Sequence, residues 1–142
     1  MSKLNTILTN FVVTEEGIAR IQRLLAELVK DVDAEAALLV EKSGQMLATD
    51  GDLQGLDTNA IASLVAATFA STRTVARLIG ETEFLAMFQQ GEATSLFMST
   101  LDTNDILVVI FKDLSKTGLV KVQAAQTAMA LSAQLNHMKT SS

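Results

Sequence analysis

Apolar positions along the chain repeat with two different periods, and the changes of period mark its elements. Ile18, Ile21, Leu25, Leu28, Val29 and Val32 fall on one stripe at helical spacing, with Arg20, Arg23, Glu27 and Lys30 on the other side. Thr14 is placed to N-cap this helix. Glu15 and Glu16 sit in its first turn, where the helix dipole favours acids. The spacing predicts an ordinary amphipathic helix from Thr14 to about Lys30, covering a sheet. Ala36 to Glu41 is a continuous apolar strand, Ser43-Gly44 a turn, and Gln45 to Thr49 the returning strand of a hairpin. Asp57 is a strong N-cap before a helix predicted from Thr58 to Ile79, and Gly80 stops it. Then "EFLAMFQQG", "SLFMSTL" and "ILVVIFK" read as three strands of an antiparallel meander, with Asp102 to Asp105 as a polar turn. Gly118 to His137 returns to helix. Five strands with few long crossovers, and three helices, predict an α+β domain.

The middle helix breaks the usual pattern. At about 100° per residue, Ile61, Leu64, Val65, Thr68, Val75 and Ile79 gather on one side, which is expected to pack on the sheet. Nearly opposite lie Ser63, Ala66, Ala70, Thr74 and Arg77, flanked by Ala67 and Arg73. A solvated face normally carries Lys and Glu. Alanine is the best helix former, which is one explanation of the small residues. A contact surface is the better one, because Ala66, Ala70 and Thr74 stand four apart, as in interdigitating helices. Arg73 and Arg77 then lie at its edge, where a guanidinium fork pairs with carboxylates. The last helix is also unusual: Val122 to Asn136 carries no charge. Ala128, Leu131 and Leu135 are either buried between sheet and first helix or part of a second contact surface.

Composition narrows the chemistry. The chain has 142 residues, 49% of them hydrophobic and only 4% aromatic, so one domain with an aliphatic core is expected. With no Cys and one His, His137, neither thiolate nor zinc chemistry is expected, and a cytoplasmic setting fits. A net charge of −5 argues against nucleic acid as a partner. The apolar run Ile106 to Phe111 is too short to cross a bilayer, and "MSKLNTILTNFVV" lacks the continuous apolar run of a signal peptide. Asp50, Asp52 and Asp57 lack the spacing of a calcium loop and suit turns and a cap better. No phosphate loop and no nucleophile–base arrangement is present, so no catalytic residue, metal or cofactor is assigned. A binding module is expected rather than an enzyme.

The stretches "LLVEKSGQMLA", "LDTNAIASLVA", "ARLIGETEF", "QGEATSLFM" and "ILVVIFKDLSKTGLVKV", in this order and spacing, resemble the roadblock/LC7 family. Within it they are most similar to the MglB-like branch, regulators of the Ras-like GTPase MglA. The likeness runs from about Ile18 to Ala133. It implies a five-stranded antiparallel sheet with the first and last helices on one face and the middle helix on the other. The expected layout is an extension at residues 1–13, the roadblock domain at 14–138 and a short tail at 139–142. It further implies a homodimer, with association beyond the dimer left open. The interface would be the third strand, Phe84, Leu85, Ala86, Met87, Phe88 and Gln89, pairing with its copy. The middle-helix surface, Ser63, Ala66, Ala67, Ala70, Arg73, Thr74 and Arg77, would receive a small Ras-like GTPase of MglA type. Stimulation of GTP hydrolysis would need no arginine finger. A non-activating scaffold that holds GTPases or other proteins is the alternative. The branch usually has Ala-Gly where this chain has Ala66-Ala67, and often a longer charged C-terminal tail than "HMKTSS".

Overall fold

A computed structural model describes residues 14–140. The extension expected at residues 1–13 and the last two tail residues, 141–142, lie outside the described residues. Helix α1 spans Glu15–Val32. The Thr14 side chain accepts a hydrogen bond from the Gly17 N–H at 2.9 Å, as its cap position predicts. Strands β1 (Ala36–Val40) and β2 (Met46–Gly51) form the hairpin. Helix α2 runs Thr58–Leu78 and opens on Asp57, whose carboxylate accepts from the Ala60 N–H at 3.0 Å. It closes as the glycine predicted: Gly80 has φ +90°, and the Glu81 N–H donates to Ala76 O at 2.8 Å.

The meander is β3 (Ala86–Gln89), β4 (Ser95–Thr100) and β5 (Ile106–Phe111). The third strand is shorter than the expected Phe84 to Gln89. Phe84 and Leu85 precede it, although Leu85 O still accepts from the Thr100 N–H at 2.9 Å. After a 3₁₀ turn at Leu114–Lys116, helix α3 spans Thr117–Thr140, past the predicted end at His137.

The sheet order is β2-β1-β5-β4-β3, with each neighbouring pair antiparallel. β1 and β5 are central and wholly buried, which explains their unbroken apolar runs. On one face Leu39, Leu107, Val109 and Phe111 pack against α1 and α3. On the other, Leu38, Val40, Met98 and Val108 pack under α2. The expected α+β architecture, with two helices on one face and one on the other, is therefore present. Leu25, Leu28, Leu131 and Leu135 are fully enclosed, each stabilising the fold by about 1.5–3 kcal/mol. Burial between sheet and α1 thus accounts for Leu131 and Leu135. α1 and α3 approach closely at Gly17, where a Cβ would stand 3.1 Å from Met138 Sδ and 3.2 Å from Gln134 Nε2.

Candidate functional site

Helix α2 is rotated relative to the sequence expectation. It buries Ala62, Val65, Ala66, Phe69 and Ala76. Leu64 and Leu78 are 67% and 80% exposed, and Val75 and Ile79 also face outward. Leu64, Val75 and Ile79 therefore do not pack on the sheet, and Ala66 does, at 8% exposed. Close approach to the β1–β2 turn is the physical cause. A Cβ at Gly44 would lie 3.2 Å from Ser63 Cα and 3.7 Å from Ala66 Cβ. A bulky residue at position 66 would push the helix off this turn, so the small side of α2 is partly an internal docking surface.

The other predicted contact residues stay accessible. Ser63, Ala67, Ala70, Thr74 and Arg77 are exposed, and Arg73 is half-exposed. Around the helix the order is Ser63, Ala70, Thr74 and Arg77 on one flank, Ala67, Leu78 and Ser71 at the crest, and Leu64 and Val75 on the other flank. The outward face is thus a small-residue strip beside an apolar one, with a single charged residue, Arg77, in it. No sequence signal of bulk or charge marks the apolar strip as outward; only the rotation does.

Beside the small strip lies a groove of ≈ 390 Å³ between α2 and the turns at the end of the sheet, lined by Ala70, Arg73, Lys42, Glu83 and Asn104 among others. Arg73 Nε stands 3.5 Å from Glu83 Oε2 across it. Glu83, missed in the sequence, reaches Arg73 because the chain reverses after Gly80. Among the described residues, Arg77 has no carboxylate within ion-pair distance. The floor is tied by Asp105, which accepts from the Lys42 N–H at 3.0 Å and the Thr103 hydroxyl at 2.7 Å. Burial pushes the Asp105 carboxyl above its ordinary range, and those two hydrogen bonds pull the other way. The groove offers guanidinium, ammonium and amide groups to a partner's carboxylates and carbonyls. Among the described residues no group of three His, Cys, Asp or Glu side chains is arranged to hold a metal. Asp52 serves its own loop instead, accepting from the Gln54 N–H at 3.1 Å.

Among the described residues β3 is the sheet's outer strand on the side away from β2, bonded to β4 alone. Leu85, Ala86 and Gln89 are exposed there, Phe84 and Met87 are half-buried, and Phe88 stacks on Phe111 with ring centroids 6.1 Å apart. The outer row of backbone groups on this strand can extend the sheet. Among the described residues no helix is long and apolar enough to cross a membrane.

No curated protein matches the chain. Solved structures do. Myxococcus xanthus MglB is 34% identical with a TM-score of 0.82, covering 89% of this chain and 96% of that one. An MglB with tetrameric arrangement is 27% identical with a TM-score of 0.85, covering 90% and 96%. The gliding protein MglB from Thermus thermophilus is 27% identical with a TM-score of 0.81, covering 89% and 96%. The family model of the Roadblock/LC7 domain matches residues 20–111, from within α1 to the end of β5. With that match over most of the chain, and the sheet and helix arrangement described above, this protein belongs to the Roadblock/LC7 domain family.

Proposed function

We propose that the chain is a homodimeric, MglB-like regulator that binds a small Ras-like GTPase of MglA type and promotes its GTP hydrolysis. One observation carries this reading: the outward face of α2 is apolar and small where a water-facing helix would be charged. Similarity to MglB over nearly all of the chain supports it. The dimer forms by pairing of β3 with its copy, which removes an exposed sheet edge. Ser63, Ala67, Ala70, Thr74 and Arg77 contact the GTPase, with Arg73 at the rim. Ala66, being turned inward, is not among the contacts. The chain supplies no catalytic group. It orders residues of the GTPase that stabilise charge in the transition state, so no arginine finger is needed.

A single-turnover GTPase assay with an MglA-type partner tests the proposal. Faster hydrolysis is expected. Binding with an unchanged rate would make the protein a scaffold instead. Calorimetry with GTP and ATP is expected to show no binding by the isolated chain, and binding would revive an enzymatic or nucleotide-sensing role.

A further inference from the structure

Arg73 is the one arginine among the described residues with a carboxylate in ion-pair distance. Arg20, Arg23 and Arg77 are exposed and have none. The difference follows from what lies beneath Arg73. Its groove has an apolar floor of Ala66, Phe69 and Ile106, all buried. A charge beside such a floor is solvated from one side only, so an opposite charge is worth more there than on an open helix. Glu83 supplies it. The pair is nevertheless loose. Arg73 Nε approaches Glu83 Oε2 at 3.5 Å, against about 2.7–2.9 Å for a charge-assisted hydrogen bond. The two side chains remain 40% and 29% exposed. A guanidinium has five N–H donors, so Arg73 has capacity for a second carboxylate.

The charge around the groove favours an acid. Lys42 lines it too, and is exposed. The Lys42 N–H donates to Asp105 at 3.0 Å, which fixes the turn that carries this ammonium. Glu41, the acid beside it, is tied to the same turn by the Ser43 N–H at 3.0 Å. Lys42 and Arg73 thus face Glu83 as the one acid among the lining side chains, in a chain whose net charge is −5. The groove is a positive spot on a negative protein, complementary to a carboxylate. It also adjoins the outward face of α2. Ala70 belongs both to the groove and to the small strip, and Arg73 follows it by three residues. A protein seated on the strip is therefore within reach of Arg73.

We infer that Glu83 holds the place of a partner's carboxylate: on docking, Arg73 exchanges Glu83 for an acidic side chain of the GTPase, with Lys42 as the second cation. The inference rests on the reading of α2 as the GTPase-binding face, and it makes Glu83 a brake on that binding. Calorimetry of the full chain with a GTP-loaded, MglA-type GTPase tests it. Glu83→Gln removes the competing charge and is expected to tighten binding by about threefold, within the range of an exposed ion pair. Glu81→Gln, exposed on the same loop and outside the groove, controls for net charge and is expected to change nothing. With Arg73→Ala also present, Glu83→Gln is expected to lose most of its gain. Unchanged or weaker binding by Glu83→Gln would overturn the inference and leave the pair as a brace for the turn after α2. Equal gains from Glu81→Gln and Glu83→Gln would overturn it as well, as would a gain undiminished by Arg73→Ala. A parent chain that does not bind the GTPase would overturn the reading of α2 itself, and this inference with it.

Discussion

Helices α1 and α2 do the same structural work on opposite faces of one sheet, yet their outward sides differ completely. α1 turns Glu16, Arg20, Arg23, Glu27 and Lys30 to solvent. α2 turns out Leu64, Ala67, Ser71 and Leu78, with Arg77 at one flank. Sheet coverage requires only the inward stripe of either helix, so the outward stripe is free to vary with its surroundings. Water selects the first pattern, and a protein partner selects the second. Matched substitutions on the two helices separate the cases. Ala70→Arg on α2 is expected to weaken binding of the GTP-loaded partner by at least about 2 kcal/mol, roughly thirtyfold. Ala19→Arg on α1 is expected to leave binding unchanged. Calorimetry reads the affinities, and sedimentation checks that the oligomeric state is the same. Equal effects at the two sites would remove the distinction between the helices and move the partner elsewhere.

The two sides of α2 itself give the next largest effect. Ala66 meets the β1–β2 turn at Gly44, while its neighbour Ala67 faces out. Ala66→Leu overpacks that contact and is expected to cost about 1–3 kcal/mol of stability in urea unfolding. Ala67→Leu should stay within about 0.5 kcal/mol of the parent, with its effect appearing in partner affinity instead. An Ala66→Leu variant as stable as Ala67→Leu would mean that the helix is rotated back toward its bulkier side.

Much of the fold was legible because its signals are local. Thr14, Asp57 and Gly80 each act through hydrogen bonds or backbone angles within a few residues, and each ends a helix where the residue type predicts. The rotation of α2 was not legible by weighing side-chain bulk, which drew Leu64, Val75 and Ile79 inward. Spacing does not decide it either: Ala62, Val65, Ala66 and Phe69 stand at i, i+3, i+4 and i+7, and so do Ile61, Leu64, Val65 and Thr68. What sequence could not supply is that a hairpin turn presses on Ser63 and Ala66, a contact made across the fold. Glu83 beside Arg73 is of the same kind, set by where the chain reverses after Gly80. The small-residue pattern on α2 thus mixes two causes, internal docking at Ala66 and an outward surface at Ala67, Ala70 and Thr74.

Beneath α2 a buried carboxyl joins the two turns at the end of the sheet, whereas the acids of α1 sit in water. Asp105 has its carboxyl raised by burial and by Glu41, against the opposing hydrogen bonds of Thr103 and Lys42 and the Lys42 charge. A folded-state value above the unfolded one means that the folded protein holds this proton more tightly. The contribution is present below the unfolded value near 3.8 and is lost as pH rises through the folded one. Asp105→Asn keeps an oxygen to accept from the Lys42 N–H and removes the ionisation. Relative to the parent, its stability is expected to improve from pH 3.5 to pH 7. Denaturant unfolding at the two pH values checks the sign. A variant that loses ground as pH rises would show that the ionised carboxylate is what the turns require.

The smallest effect distinguishes a rim contact from a catalytic one. Arg73 is half-exposed and already paired with Glu83 at 3.5 Å. An exposed ion pair is worth about 0–1 kcal/mol, so a partner carboxylate can replace Glu83 at little cost and gains little by doing so. Arg73→Ala is therefore expected to weaken partner binding by no more than about fivefold, within the range of a surface pair. At saturating protein the hydrolysis rate should be unchanged, whereas loss of an arginine finger lowers turnover by about 10³–10⁵. The matching change on α1, Arg20→Ala, is expected to alter neither quantity. Titrating the GTPase with each variant separates the two terms, because affinity moves the midpoint and catalysis moves the plateau. A collapsed plateau for Arg73→Ala would place this guanidinium against the transferring phosphoryl group, and the outward face of α2 would then be part of an active site completed in the complex.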